Sequence, residues 1–408
     1  MVSTNNEVMP VRTSERFAIL DVLRGFALLG ICMANFPEFS LYNFLPPEVT
    51  SGMRSALPDY VTRWLLYVWV DGKFYTLFSL LFGIGFSIII RNAERKGANG
   101  FRIFYRRMTL LLLIGFIHLM LIWSGDILML YALLGLLLPL FRRVSDRAVL
   151  RWAAFFLLLP IFIDLVCELT HTNLALPFVR WQEMYCARYG ITEANFAYWL
   201  HDAADYGTVF EFLVQGAFVR MQEFVSGNRY FKVLGLFLIG FYIGRNRMYA
   251  DLEGRRVQLL KVFRYCMAVG LPGSLLYAWS AMGHHPLGLT LHSVFYLVGV
   301  YPLGFAYAAG LALLYGRTRG GRPWLWLAST GRMALTNYIG QSVIGVLLFY
   351  GIGAGLGTTL GLWQTEGVVL AVFLFQMIFS VCWMRAFRFG PLEWGWRMLT
   401  YGKWLAIR

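Results

Sequence analysis

Long apolar segments alternate with short charged clusters along this chain of 408 residues. Ten apolar segments lie near residues 17–37, 71–90, 108–123, 127–141, 149–167, 230–244, 262–282, 290–315, 332–350 and 367–384. A helix needs about 20 apolar residues to cross a bilayer, and the apolar residues here are continuous rather than alternating. The pattern therefore predicts an all-α, polytopic transmembrane helix bundle of about ten spans, and it excludes a β-barrel.

The composition agrees with a protein that is surrounded by membrane lipids. Hydrophobic residues make up 58% of the chain and charged residues only 14%, whereas soluble domains carry roughly 25% charged residues. This difference excludes a soluble enzyme. A net charge of +14 is also found in nucleic-acid-binding proteins, but the cations here occupy the connections between apolar segments, where they set membrane orientation. We therefore expect no nucleic-acid partner.

The basic connections predict which side of the membrane each loop faces. Most acidic residues fall in the alternate connections, so the positive-inside rule places both termini in the cytoplasm. The basic clusters contain Arg91, Arg95, Lys96, Arg102, Arg106, Arg107, Arg142, Arg143, Arg147, Arg151, Arg245, Arg247, Arg255, Arg256, Lys261, Arg264, Arg317, Arg319, Arg322 and the cations from Arg385 to Arg408.

The longest connection, near 168–228, is predicted to be an external loop of short helices over the mouth of the bundle. No fixed-period repeat or soluble linker interrupts the chain, so residues 1–408 are interpreted as a single transmembrane domain. Cys167 and Cys186 lie in or beside the external loop, where a disulfide and two free thiols both remain open. No cysteine or histidine spacing predicts a metal site.

Polar residues within the first apolar segment share one face. At about 100° per residue, Asp21, Arg24 and Asn35 fall on a narrow stripe that cannot face lipid. Asp21 and Arg24 can pair one turn apart, and Asn35 lies roughly 16 Å further along the axis, toward the external side. The stripe is either functional or a neutralised pair that braces neighbouring helices.

Four further polar residues are predicted to lie at a depth in the membrane similar to that of Asn35. His118 lies below the predicted turn at Asp126, where it could act as a general base oriented by the carboxylate. Alternatively, His118 bonds a backbone carbonyl and Asp126 caps a helix. Asp71 and Lys73 fall at the external boundary, although Lys73 could instead reach the headgroups. One polar site near the external face is the simplest explanation.

The ninth segment carries amides that are typical of helix association. Asn337 and Gln341 lie one turn apart and are interpreted as links between helices, whereas Arg332, near the cytoplasmic side, suits a phosphate contact. Gly83 and Gly85 lack the rest of a dinucleotide-binding motif, so we interpret them as sites of close helix packing.

Six motifs are distributed along the chain: Asp21-Val-Leu-Arg-Gly with Asn35, Asp71-Gly-Lys-Phe, Arg106-Arg107 with His118, Gly125-Asp-Ile-Leu, Gly331-Arg-Met-Ala-Leu-Thr-Asn-Tyr and Gly390-Pro-Leu-Glu-Trp-Gly-Trp-Arg. Together they resemble the motifs of the YeiB-like bacterial membrane proteins. The first motif is also similar to heparan-α-glucosaminide N-acetyltransferase and the wider transmembrane acyltransferase superfamily. Members of that superfamily pass an acyl group from cytosolic acyl-CoA to an acceptor, often a sugar, across the membrane.

This resemblance implies a multi-pass protein of the bacterial cytoplasmic (inner) membrane that uses acyl-CoA, most simply acetyl-CoA. It also implies that Asn35 is a catalytic-site residue. The acetyltransferase has its catalytic histidine in the external segment after that asparagine, but residues 36–70 contain no histidine here. His118, with Asp126 as its orienting partner, is therefore our own inference for the base.

The remaining roles follow from the chemistry of acyl transfer. Asn35 or Lys73 would hold the oxyanion, beside Asp71 in the same external site. The phosphates of acyl-CoA would meet Arg24, which pairs with Asp21, together with Arg106, Arg107 and Arg332. A transporter or flippase and a binding or scaffold protein are the alternatives. The acyl group, the external glycan or small-molecule acceptor and any homo-oligomer remain open.

Overall fold

The structure, a computed structural model, describes residues 17–95, 97, 99–318 and 321–408. Lys96 and Arg319 of the basic clusters lie outside the described residues. The helices are α1 (Ala18–Phe39), α2 (Pro47–Gly52), α3 (Ala56–Trp69), α4 (Lys73–Arg95), α5 (Gly100–Leu121), α6 (Leu128–Gly135), α7 (Asp146–Thr170), α8 (Leu176–Tyr189), α9 (Phe196–His201), α10 (Tyr206–Ser226), α11 (Arg229–Arg245), α12 (Arg256–Met282), α13 (Gly288–Arg317), α14 (Arg322–Arg332), α15 (Ala334–Phe349), α16 (Leu362–Ala386) and α17 (Pro391–Tyr401).

The predicted all-α bundle is confirmed, and none of the described ranges contains a β-strand. Each of the ten apolar segments coincides with a helix, namely α1, α4, α5, α6, α7, α11, α12, α13, α15 and α16. Seven helical segments of the described chain are long and apolar enough to cross a membrane. Shorter apolar helices cover Leu128–Phe141 and Ala334–Phe349. The chain is therefore an integral membrane protein.

Short breaks of two or three residues separate α3 from α4 and α10 from α11. α3 and α4 form one apolar stretch, Ala56–Arg95, that is broken at residues 70–72, where Gly72 has a φ of +73°. α10 and α11 are separated by residues 227–228. α8, α9 and α10 occupy the predicted external loop. α4 and α11 then run side by side, and a Cβ on Gly83 would lie 2.0 Å from the Phe237 carbonyl oxygen.

Side chains from other helices satisfy the backbone at the first break. Ser274 Oγ donates to the Val68 carbonyl at 2.7 Å, and Tyr307 Oη donates to the Trp69 carbonyl at 2.8 Å. Lys73 Nζ donates to the Tyr67 carbonyl at 2.6 Å. Since backbone groups at membrane depth need partners within the protein, these bonds hold α3 and α4 together. Lys73 is fully buried, so it does not reach the headgroups.

Contacts between the basic connections bring them to one end of the bundle. Arg245 donates to the Val144 carbonyl and pairs with Asp146, both at distances below 3 Å. Arg91 donates to the Gly244 carbonyl at 3.0 Å. We call this end, where α1, α5 and α7 begin, the basic end, and the other end the opposite end.

Buried amides join α15 to α16 in the way the sequence predicts. Asn337 Nδ2 donates to Ser380 Oγ at 3.0 Å, and Gln341 Nε2 donates to Gln376 Oε1 at 3.0 Å. Gln376 Nε2 in turn donates to the Asn337 carbonyl at 2.9 Å. The interpretation of Asn337 and Gln341 as links between helices is confirmed. Cys167 and Cys186 are both free thiols in the structure.

Candidate functional site

A cavity of about 1030 Å³ extends through the bundle from the basic end to the opposite end. Its walls include residues from both ends of α1 and α4, together with residues of α5, α11, α13 and α17. This volume lies at the upper limit of small-molecule sites, which are roughly 300–1,000 Å³. The chemistry of the wall changes along the cavity in three zones.

The zone at the basic end is strongly cationic. Among the residues that the structure describes, seven arginines and two acids line it, and both acids are engaged: Asp21 accepts from Arg24 at 2.8 Å, and Glu393 accepts from the backbone N–H of Leu335 at 2.7 Å. The seven are Arg24, Arg91, Arg95, Arg107, Arg247, Arg332 and Arg397. Five of the seven are half-buried, whereas Arg95 and Arg247 are exposed. Such an excess of guanidinium groups favours a ligand with several negative charges.

The structure separates two neighbouring arginines that the sequence grouped together. Arg107 lines the cavity, and its guanidinium lies 3.7 Å from the centroid of the Trp396 ring. Arg106 is not part of the wall and lies near Gly402. The other predicted phosphate-binding residues, Arg24 with its partner Asp21 and Arg332, do line the basic zone.

The middle zone of the cavity is apolar. Its wall contains Leu81, Phe82, Phe86 and Leu111. Gly85 also faces this zone, and a Cβ added there would meet no atom within 4 Å. The expectation of close helix packing therefore fits Gly83 but not Gly85, which leaves the passage open.

The zone at the opposite end mixes acids, cations and aromatic hydroxyls. Its lining residues include Asn35, Glu38, Asp71, Asp164, Arg220, Arg229, Lys232, Tyr277, His285, His292, Ser293 and Tyr296. Asp71 accepts a hydrogen bond from Tyr277 Oη. The Asn35 amide lines the cavity and has no side-chain hydrogen bond among the described residues. Asn35 and Asp71, predicted to share one site, thus face the same cavity.

A chain of ion pairs closes one side of this zone. Arg220 donates to Glu223 at 2.5 Å and to the Ser124 carbonyl at 2.9 Å, and Arg229 lies 3.4 Å from Glu223. Burial raises the pKa of Glu223, but attraction to Arg220 and Arg229 outweighs burial and leaves this pKa below its usual value. Glu223 is therefore ionised at neutral pH and holds both arginines in place.

His118 and Asp126 contact each other but do not line the cavity. His118 Nδ1 lies 2.9 Å from Asp126 Oδ1, and His118 Nε2 lies 2.9 Å from Ser342 Oγ. Asp126 also accepts from the Met129 backbone N–H at 2.7 Å, which satisfies a free N–H group in the first turn of α6, as a capping residue would. Both sequence interpretations of Asp126 are thus present at once. The imidazole is fully buried with both nitrogens engaged, and Lys73 is likewise absent from the wall.

Several lining residues were not identified from the sequence. They are His285, His292, Asp164 and Lys232. Asp164 and Lys232 carried a usable signal, because both are ionisable residues inside apolar segments, where charge is costly and often functional. His292 falls in the apolar segment near 290–315 and carried the same signal, whereas His285 carried none, because only the turn between α12 and α13 brings it to the cavity.

Comparisons with known proteins find relatives over nearly the whole chain. The family described as "Protein of unknown function (DUF418)" matches residues 243–403. The chain is 31% identical to the uncharacterized protein YxaH of Bacillus subtilis (strain 168), over 98% of each chain. It is 30% identical to the uncharacterized protein YeiB of Escherichia coli (strain K12), over 95% of this chain and 96% of YeiB. No solved structure matches.

Proposed function

The chain belongs to the YeiB-like family, together with YxaH, and we propose that it is a membrane-embedded acyltransferase. It takes an acyl group, most simply acetyl, from cytosolic acyl-CoA and delivers it to a hydroxyl or amine acceptor on the external side. The bacterial relatives support a location in the bacterial cytoplasmic membrane. The observation that carries the proposal is the order of the three zones along one cavity.

The basic zone suits the phosphates of coenzyme A. Acyl-CoA carries three phosphate groups at one end, and planar guanidinium groups bind phosphate oxygens in pairs. Arg107 is held by stacking on Trp396, and the Trp396 indole N–H donates to the Arg107 carbonyl at 3.2 Å. This arrangement orders the Arg107 side chain before any ligand arrives, which lowers the entropy lost on binding.

The apolar zone suits the pantetheine arm in both chemistry and length. Arg24 and Asn35 both line the cavity on α1, eleven residues apart, which is about 16 Å along a helix. An extended pantetheine arm spans roughly 15–20 Å. Coenzyme A with its phosphates at Arg24 would therefore place its thioester near Asn35, at the opposite end of the cavity.

The opposite zone supplies the groups that acyl transfer requires. The acceptor oxygen or nitrogen attacks the thioester carbonyl carbon and loses its proton to a base. A tetrahedral oxyanion forms, and the carbon–sulfur bond then breaks to release CoA thiol. The Asn35 amide lines the cavity without another side-chain partner among the described residues, and it would donate a hydrogen bond to that oxyanion.

Binding of acetyl-CoA to the purified protein in nanodiscs, measured by thermal shift and calorimetry, tests the proposal. Acetyl-CoA should raise the unfolding temperature of the wild type. Loss of one charged hydrogen bond costs about 1.5–3 kcal/mol, so Arg107→Ala should weaken binding roughly 10- to 150-fold. Arg106→Ala is the matched control, because this neighbouring arginine does not line the cavity. A folded wild type that binds no acetyl-CoA would refute the proposal.

The two helix breaks favour a transporter as a second candidate. Transport proteins commonly bind their cargo where membrane helices are interrupted, and Asp71 and Gly227 of the two breaks both line the cavity. A double-label experiment distinguishes the two candidates. Proteoliposomes are incubated with acetyl-CoA that carries one label on the acetyl group and another on the adenine. An acyltransferase passes only the acetyl label to an acceptor inside, whereas a carrier of acyl-CoA moves both labels together.

A further inference from the structure

Two histidines form a contact pair in the opposite zone of the cavity. His285 lies in the turn between α12 and α13, and His292 lies one turn into α13. Both line the cavity, and their ring centroids are 4.0 Å apart. The pair thus combines two imidazoles with access to the space where the proposed transfer takes place.

The two ring nitrogens of His292 differ in their hydrogen bonding. Its Nδ1 lies 3.0 Å from Ser280 Oγ, while its Nε2 has no hydrogen-bond partner among the described residues. When Nδ1–H donates to Ser280, Nε2 carries the lone pair. In this tautomer the imidazole can accept a proton from a substrate at Nε2, as a general base does. His118, in contrast, has both ring nitrogens engaged by Asp126 and Ser342.

The backbone is strained where it brings the second imidazole into place. His284 and His285 have φ values of 53° and 61°, a conformation that costs residues other than glycine about 1 kcal/mol or more and clusters at functional sites. Partial burial, followed by the neighbouring His284, lowers the pKa of His285 below its usual value. His285 is therefore neutral at neutral pH.

The charged groups around the histidine pair are held by other partners. Asp71 accepts from Tyr277 Oη, and Asp164 accepts from Ser293 Oγ and, at 2.8 Å, from Asn228. Lys232 Nζ lies 4.1 Å from the centroid of the Tyr296 ring. Further out, Glu168 accepts from Thr290, and Arg229 pairs with Glu223. Glu38, which also lines this zone, lies 3.9 Å from Arg220. His292 Nε2 is thus a lone pair in this zone with no partner among the described residues.

We infer that His292 is the general base of the proposed acyl transfer. The acceptor is a neutral hydroxyl or amine compound that enters from the external side. Its proton moves to His292 Nε2 as its oxygen or nitrogen bonds to the thioester carbon. When the carbon–sulfur bond breaks, the sulfur takes that proton and leaves as CoA thiol, which restores the neutral imidazole. This inference rests on the proposed function.

The test compares acceptors that do and do not need a base. Release of CoA thiol from acetyl-CoA is measured in nanodiscs with glycerol and water as hydroxyl acceptors, and with hydroxylamine, a nucleophile that attacks thioesters without deprotonation. A lost general base costs about 10²- to 10⁴-fold. His292→Ala should therefore lower the hydroxyl reaction at least 100-fold and leave both the hydroxylamine reaction and acetyl-CoA binding near wild type.

The controls use other histidines of the same chain. His201 pairs with Asp202 at 2.6 Å and does not line the cavity, so His201→Ala should keep wild-type rates. His118→Gln tests the alternative base directly. An unchanged hydroxyl reaction in His292→Ala, or an equal loss with hydroxylamine, overturns the role of His292. A wild type that neither binds nor cleaves acetyl-CoA instead refutes the acyltransferase proposal itself.

Discussion

Two glycines on α4 offer a direct test of whether the cavity is the path of the ligand. Gly83 and Gly85 are two residues apart and therefore lie about 200° apart around the helix axis. A Cβ on Gly83 would lie 2.0 Å from the Phe237 carbonyl oxygen of α11, whereas a Cβ on Gly85 would point into open space in the apolar zone. Substitutions at the two sites should therefore separate binding from folding.

The expected magnitudes follow from these distances. Real Cβ contacts essentially never fall below 3.0 Å, so Gly83→Ala forces α4 and α11 apart and should destabilise the protein by about 1–3 kcal/mol. Gly85→Ala relieves the entropy cost of glycine in a helix and should stabilise it by about 0.5–1 kcal/mol. Gly85→Phe places a ring in the passage. A ligand that has to share that space loses about 1–3 kcal/mol, a 5- to 150-fold weaker affinity.

The assay combines unfolding and acetyl-CoA binding of the three variants in the same nanodiscs. We expect Gly83→Ala to unfold at a lower temperature, Gly85→Ala to match or exceed the wild type in both measurements, and Gly85→Phe to fold normally but bind weakly. Wild-type acetyl-CoA affinity in a folded Gly85→Phe variant would refute the reasoning, because the ligand would then bypass the apolar zone.

Two further predictions concern buried polar contacts. Glu393 accepts from the backbone N–H groups of Leu335 and Thr336 at 2.7 and 3.1 Å. Glu393→Ala leaves both N–H groups unpaired and should lower the free energy of unfolding by about 1–3 kcal/mol in chemical denaturation. A wild-type unfolding midpoint would contradict this capping role. Asn337→Ala removes the bond to Ser380 between α15 and α16 and should cost roughly 1–2 kcal/mol in thermal unfolding, whereas no loss would show that the bond contributes no stability.

The sequence alone was sufficient for the position and type of ten of the helices, although it did not predict α3, which extends the apolar stretch of α4 to Ala56. Each of the ten segments recurs as a helix because the thickness of the bilayer demands a run of apolar residues whose length is visible in the chain. The shared face of Asp21, Arg24 and Asn35 was also predictable, and all three line the cavity. The rotation between residues of one helix is a local property that the helical period determines.

The tertiary structure decided which of these residues meet. Arg106 and Arg107 are neighbours in sequence, yet only Arg107 faces the cavity, because the rotation of α5 against its neighbours depends on how all the helices pack. His118 likewise meets Ser342, which lies 224 residues away. No local pattern in the chain encodes such a contact.

The helix breaks and the histidine pair also depend partly on local sequence and partly on packing between distant helices. The sequence Asp71-Gly-Lys marks a break, but the break is stable only because hydroxyls of α12 and α13 bond the freed carbonyls. His285 and His292 become a pair because a strained turn folds one ring onto the other. Local periodicity therefore determined the helices, whereas packing between distant helices decided the cavity and the groups that face it.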